Sequence, residues 1–175
     1  MSRPGPLHRQ LIEQARHLAN RGSPGTQQAD LRRAASATYY ALFHFLIDEA
    51  CRFLLGPARG DRATRAILAR AFVHGEMAQA SSSFAGGTLP AKMEKILSGV
   101  PKPLSKIAAA FVDLQGFRHK ADYDVSATFM PDDVNALIDR AEAATADWAA
   151  IRRDPATRLF LLSLLVFERI KKIKE

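Results

Sequence analysis

The fold is decided by residues 27–55, which read QQADLRRAASATYYALFHFLIDEACRFLL. At about 100° per residue, this stretch collects its apolar side chains on one broad arc, as expected of an α-helix with a core-facing side. The arc consists of Ala35, Tyr39, Leu42, Phe43, Leu46, Ile47, Ala50, Phe53 and Leu54. We therefore predict one long helix that supplies much of the hydrophobic core and ends at Gly56-Pro57.

A polar ladder runs beside this arc at four-residue steps, through Ser36, Tyr40, His44 and Asp48. Residues spaced by four stack along one edge of a helix and can interact in sequence. One interpretation is a satisfied polar seam between helices. The other is that Tyr40 and His44 face a cleft where an imidazole could meet a phosphate or a base.

Apolar residues recur at helical spacing along the rest of the chain, without the alternation typical of strands. We predict further helices at 7–21, 62–80, 91–97, 103–120, 131–153 and 156–174. In the third helix, 62–80, Asp61 is the expected cap, and the expected apolar positions are Ala66, Ile67, Ala69, Phe72 and Val73. Gly22, Pro24 and Gly25 are expected to end the first helix, and a mobile surface loop is expected over 81–103.

These elements predict an all-α fold, an antiparallel up-down helical bundle over residues 1–154. Residues 155–175 are expected to form an additional helix, packed on the same domain or on a dimer partner. Its segment 159–167, LFLLSLLVF, is apolar nearly all round but shorter than the roughly 20 residues that cross a bilayer. We expect burial and no stable membrane insertion, with an interfacial membrane helix as the alternative.

The net charge of +7 is distributed unevenly. Residues 1–75 carry 11 basic and 5 acidic side chains, a net +6, whereas residues 125–154 carry 3 basic and 6 acidic side chains, a net −3. An arginine-rich half suits phosphate recognition, although solvated surface charge would look the same. The acidic segment argues against a protein that simply coats nucleic acid by charge.

Cys51 is the single cysteine, so no disulfide can form within the chain and no cysteine metal-ligand spacing exists. We interpret Cys51 as a buried spectator thiol. No metal site and no cofactor are predicted. Residues 1–6 lack the apolar segment of a secretory signal, so a cytoplasmic protein is expected.

The second informative segment is residues 117–124, FRHKADYD, where charged and aromatic residues crowd together at a predicted helix end. Arg118 and Asp122 are four apart, as are His119 and Tyr123, so each pair can share one side of the helix. A helix C-terminus whose cations suit its dipole is the simpler interpretation. A phosphate-binding site is the functional one.

Together the two segments resemble those of HEPN-domain proteins. Residues 33–44, RAASATYYALFH, resemble the family's Tyr-Tyr-Ala-x-Phe-His helix, and residues 117–124 resemble its Arg-x-x-Ala-Asp-Tyr segment. The resemblance covers roughly residues 7–154. It implies a helical bundle that forms a homodimer, binds RNA or a nucleotide, and acts as half of a toxin–antitoxin or phage-defence pair, with a nucleotidyltransferase-type antitoxin as a possible partner.

Many HEPN proteins are metal-independent ribonucleases in which a histidine follows the arginine by a few residues. Here no histidine lies between Asp122 and Val125, so the motif is expected to be degenerate. The implied binding residues are Tyr40, Arg118, Lys120, Asp122 and Tyr123. An active ribonuclease using Arg118 with His119 or His44 is one alternative, and a non-catalytic helical interaction module is another.

Overall fold

The computed structural model describes residues 5–21, 27–56, 61–86 and 88–173. These residues form helices without any strand, which confirms the all-α prediction. The helices are α1 (Leu7–Ala19), α2 (Gln27–Leu55), α3 (Arg62–Arg70), α4 (His74–Phe84), α5 (Ala91–Ile96), α6 (Lys102–Tyr123), α7 (Pro131–Ile151) and α8 (Pro155–Lys171). The predicted break at Gly22–Gly25, and the roles given to Pro57 and Lys174, lie outside the described residues.

Helix α2 has the bounds that its periodicity predicted, whereas the prediction for 62–80 was wrong. Two helices occupy that region, separated at Ala71–Val73, where Val73 has the extended backbone angles φ −111° and ψ 128°. Asp61 does cap α3, and its carboxylate accepts a hydrogen bond from the Thr64 amide at 2.8 Å. Of the predicted apolar positions, Phe72 is buried, but Ile67 and Val73 are 71% and 56% exposed.

The predicted loop over 81–103 also begins later than expected. Residues 81–84 continue α4, and the side chains of Ser81 and Phe84 are fully buried. Met93 on α5 is buried as well, so this short helix anchors the connection to the core. At the end of α2, Phe53 and Leu54 were expected in the core but are 41% and 38% exposed.

The chain divides into two compact units. The first comprises Met1–Phe45 and Asp113–Ala146. Its fully buried side chains include Tyr39 and Leu42 of α2, Leu114 of α6, and Ile138 of α7. On its surface, the Arg16 guanidinium forms ion pairs of 2.8 and 2.7 Å with Asp139 and Glu142, which raise the pKa of Arg16 against the opposing effect of desolvation.

The second unit comprises Leu46–Val112 and Asp147–Glu175. Helices α4 and α8 pack against each other here, with the rings of Phe84 and Phe160 5.1 Å apart. Asp154 caps α8 by accepting from the Ala156 amide at 2.8 Å, and the helix is kinked at Val166. The apolar run of α8 thus buries one side in the chain's own core, which includes Phe160, Leu161 and Leu164.

A buried carboxylate lies in the second unit. Glu49, 4% exposed, accepts hydrogen bonds from the indole of Trp148 at 2.8 Å and from the guanidinium of Arg152 at 2.8 and 2.9 Å. The two Arg152 bonds form a bidentate pair, the geometry in which arginine holds a carboxylate best.

Cys51 is also buried, as predicted, and its burial raises the pKa of the thiol. Across the described helices, none combines the length and the apolar character that crossing a membrane requires.

Candidate functional site

The site is built on α6, which continues to Tyr123 rather than ending near Lys120. Because the helix persists, Arg118 and Asp122 lie one turn apart on the same side, as do His119 and Tyr123. Nε of Arg118 is 2.7 Å from Oδ2 of Asp122, in an ion pair whose N–H is not aligned as a hydrogen bond. The side chains of Arg118 and Asp122 are 20% and 31% exposed, so the pair lies at the edge of the core.

Helix α2 completes the environment of Arg118. Nη2 of Arg118 donates a hydrogen bond of 3.2 Å to the Tyr40 hydroxyl, and the guanidinium carbon lies 5.7 Å from the centre of the Tyr40 ring. Ser36 donates to Oδ1 of Asp122, so the ladder residues Ser36 and Tyr40 both bond to α6. A polar seam therefore joins the two helices, with Ser36 and Tyr40 on α2 bonded to Asp122 and Arg118 on α6.

The ring of Tyr123 lies beside the same guanidinium, with 5.5 Å between the Arg118 guanidinium carbon and the ring centre. Both distances fall within the roughly 6 Å range of cation–π attraction. Burial lowers the pKa of Arg118, but Tyr40 and Asp122 raise it by more, so the net shift is upward. The guanidinium is thus a permanent cation held between two aromatic rings and a carboxylate.

His44 and His119 each contact one of the two tyrosines that flank the Arg118 guanidinium. The His44 ring stacks on Tyr40 with 6.2 Å between ring centres, and the His119 ring lies 5.0 Å from Tyr123. Burial lowers the pKa of His44, which favours the neutral imidazole. Lys120 is exposed and extends over the ring of Phe117, with Nζ 5.7 Å from the ring centre.

Sequence reasoning missed two residues that hold the end of the site. The Arg32 guanidinium donates to the carbonyls of Ala121 at 2.9 Å, Ala127 at 2.6 Å and Val125 at 3.3 Å. It therefore satisfies backbone acceptors at the C-terminus of α6 and in the loop that follows. Arg32 lies four residues before Ser36, so an extension of the polar ladder toward the N-terminus would have found it.

Gln28, another four residues earlier, pairs with the backbone of Phe129. Its side-chain amide donates to the Phe129 carbonyl at 2.8 Å and accepts from the Phe129 amide at 2.9 Å. Asp124 closes the turn between α6 and α7 by accepting from the Ser126 amide and hydroxyl at 2.9 and 2.6 Å, which lowers the pKa of Asp124. The loop after Tyr123 is thus anchored by side chains of α2 as well as by its own turn.

Comparison with protein-family models, with curated proteins and with solved structures found no match for this chain. The described residues also contain no group of three or more His, Cys, Asp or Glu side chains arranged to hold a metal ion. The functional conclusion therefore depends on the cluster around Arg118.

Proposed function

We propose that this chain is a HEPN-like protein that binds RNA or a nucleotide as a homodimer, and that it forms one half of a toxin–antitoxin or phage-defence pair with a degenerate ribonuclease motif. The observation that carries the proposal is the guanidinium of Arg118, fixed between Tyr40, Tyr123 and Asp122. This is the arginine that the resemblance assigns to phosphate. Its surroundings support that role.

Arg118 has enough N–H donors to bind a phosphate in addition to its partners within the chain. A guanidinium has five N–H donors, and the contacts to Asp122 and Tyr40 use the Nε and Nη2 sides of the fork. The partners that orient the group leave donor capacity for a phosphate oxygen, which arginine binds bidentately. Because the orientation is fixed before binding, little side-chain entropy remains to be lost.

The homodimer would place two copies of Arg118 in one cleft, as the resemblance implies. Two guanidiniums around one phosphate group would concentrate positive charge in that cleft. The resemblance to HEPN-domain proteins also suggests the second half of the pair, which we propose to be a nucleotidyltransferase-type antitoxin. Mass measurement by light scattering tests the dimer, and a monomer at all accessible concentrations would contradict it.

Binding to a short fluorescently labelled RNA tests the central part of the proposal. We expect an affinity that falls steeply between about 50 and 200 mM salt, since neutralised phosphates release counterions. Arg118→Ala should weaken binding by about tenfold, equivalent to about 1.4 kcal/mol. Arg158→Ala, which removes the same charge from an exposed position on α8, serves as the matched control.

Two results would reject the proposal. One is the absence of salt-sensitive binding of RNA and of nucleotides by the wild-type protein. The other is equal binding by the Arg118→Ala and Arg158→Ala proteins, which would make Arg118 one surface charge among many.

A metal-independent ribonuclease is the second candidate, and the position of His44 favours it. His44 stacks on the tyrosine that accepts from Arg118, and its lowered pKa keeps the imidazole in the form that can accept a proton from a ribose 2′-hydroxyl. RNA incubated with the protein in a chelator should then be cleaved, and less so by His44→Ala or His119→Ala. Intact RNA, or cleavage unchanged by both substitutions together, rejects this activity.

A further inference from the structure

Tyr123 presents an aromatic ring to solvent at the end of the site. Of the three tyrosines, Tyr39 is fully buried and Tyr40 is partly buried beneath Arg118, whereas Tyr123 is 64% exposed. The His119 ring lies 5.0 Å away at an interplanar angle of 49°, and it too belongs to an exposed residue. The two rings make a small exposed aromatic surface one helical turn from the arginine that we assign to phosphate.

This surface is held in place rather than carried on a loose chain end. Tyr123 is the last residue of α6, and the loop that follows is fixed by the Arg32 bonds to the carbonyls of Ala121, Val125 and Ala127. The guanidinium of Arg118 lies 5.5 Å from the Tyr123 ring centre. The ring and the cation therefore have a fixed spacing, which a ligand with a flat ring and a nearby anion can use without reorganising the protein.

We infer that the site takes single-stranded RNA, with an unpaired base stacked on Tyr123 and the adjoining phosphate on Arg118; this inference rests on the proposed function. Stacking on an aromatic side chain needs an unstacked base with an available face, which loops and single strands offer and duplexes do not. A site that bound RNA only through its phosphates would need no exposed aromatic ring. The aromatic surface is what distinguishes the two modes of binding.

Stacking on Tyr123 would not by itself favour a particular base. Beyond Tyr123, Val125 is 96% exposed and presents only aliphatic surface. Stacking tolerates all bases because each has a π-face, whereas discrimination requires hydrogen bonds to base edges. We therefore expect a preference for strandedness that is larger than any preference for sequence.

The test compares a single-stranded RNA with the same strand annealed to its complement, using fluorescence anisotropy at one salt concentration. The wild-type protein should bind the single strand about tenfold more tightly, because one stacked base contributes about 1–3 kcal/mol. Tyr123→Ala should lose at least about fivefold in affinity for the single strand, the lower end of that range. Tyr123→Phe should stay within about twofold, since the ring alone carries the stacking.

Salt dependence separates the two roles. Tyr123→Ala should leave the slope of log affinity against log salt unchanged, whereas Arg118→Ala should reduce that slope by about 1 for each phosphate contact that it removes. Val125→Ala changes an exposed neighbour and serves as the control. Circular dichroism of each variant establishes that it is folded.

Equal affinity for single strand and duplex would overturn the inference, as would wild-type binding by Tyr123→Ala. If Arg118→Ala still weakened binding in that case, the proposed phosphate site would stand and only the stacking would fail. If the wild-type protein bound neither RNA nor nucleotide, the proposed function would fail together with the inference.

Discussion

Ser36 on α2 donates a hydrogen bond to Asp122 on α6, which lies 86 positions later in the chain. The second oxygen of the same carboxylate lies 2.7 Å from Nε of Arg118. One side chain therefore joins the two helices and orients the guanidinium. Because the connection and the orientation share a carboxylate, a change at Asp122 should affect folding and binding together.

Asp122→Ala should lower the free energy of unfolding by about 1–2 kcal/mol. Most of that loss should come from the hydroxyl of Ser36, which is only 9% exposed and would lose its acceptor. The ion pair with Arg118 should add little, because both side chains are partly exposed and solvent screens them. Urea denaturation measures the change.

Asp147→Ala is the matched control, since Asp147 is an exposed aspartate on α7. It should alter the free energy of unfolding by no more than about 0.5 kcal/mol. Equal losses in the two variants would mean that the bond between Ser36 and Asp122 contributes nothing to stability. RNA binding should weaken in Asp122→Ala and remain unchanged in Asp147→Ala.

Much of this site follows from helical spacing, and the remainder follows from how two helices meet. The periodicity of residues 27–55 predicts α2, and the four-residue spacing of Arg118 and Asp122 predicts that they can pair. The bonds from Arg118 to Tyr40 and from Ser36 to Asp122 depend on the axial register of α2 against α6. Spacing within one helix holds no information about that register.

The division of 62–80 into α3 and α4 shows a different limit of sequence reasoning. Residues 71–73 read Ala-Phe-Val, without the glycine or proline that usually marks a helix end. In the structure, Phe72 is buried while Val73 takes an extended conformation. The periodicity alone predicts that the helix continues through these residues. Burial of the Phe72 ring outweighs that local helical preference.

The stability of the protein should depend on the protonation of His44. Burial lowers the pKa of His44 below its usual value of 6.5, so between that value and the lowered pKa the unfolded chain binds more protons than the folded one. The contribution of His44 to stability is therefore greatest above pH 6.5 and is lost as the pH drops through the lowered pKa. Urea denaturation at about pH 7.5 and 5.5 should show a larger acid-induced loss in the wild-type protein than in His44→Gln.

NMR titration of the His44 ring provides the direct check. Its midpoint should lie below 6.5, the usual value for a histidine. A His44 midpoint at or above 6.5 would contradict the effect of burial. An identical acid-induced loss in wild-type and His44→Gln proteins would assign the loss to other groups.

Arg152 should matter far more to stability than its neighbour Arg153. Arg152 forms a bidentate pair with the buried Glu49, which is 4% exposed. Arg152→Ala leaves this carboxylate with the Trp148 indole as its hydrogen-bond donor and with Nε of Arg52 at 3.7 Å from Oε1. The expected loss is about 1–3 kcal/mol, the usual penalty for depriving a buried polar group of its partner. Arg153 is exposed, and Arg153→Ala should stay within about 0.5 kcal/mol of the wild type.

Trp148 reports on this site because it is the single tryptophan of the chain and is fully buried. Its fluorescence follows the unfolding of both arginine variants in urea. Its emission should also shift in Arg152→Ala, since the indole shares the Glu49 carboxylate with Arg152. If the two variants had equal stability, the bidentate pair would have no net effect on the fold.

The stability of the protein should hardly change when Ile67, the exposed isoleucine of α3, loses its side chain. None of the residues of α3 is buried, and Ile67 is 71% exposed, whereas Ile107 on α6 is 1% exposed. Ile107→Ala should lower the free energy of unfolding by about 2–5 kcal/mol, because it leaves a cavity in a packed core. Ile67→Ala should change it by about 0.5 kcal/mol or less.

Urea denaturation at two protein concentrations distinguishes an isoleucine that is exposed to solvent from one that a second copy of the chain covers. A small effect of Ile67→Ala at both concentrations agrees with an isoleucine that contacts solvent. A loss above about 1 kcal/mol that appears only at the higher concentration would show that a second copy covers Ile67, since association stabilises the folded state by mass action. A loss of the same size at both concentrations would contradict the exposure of Ile67 within the chain itself.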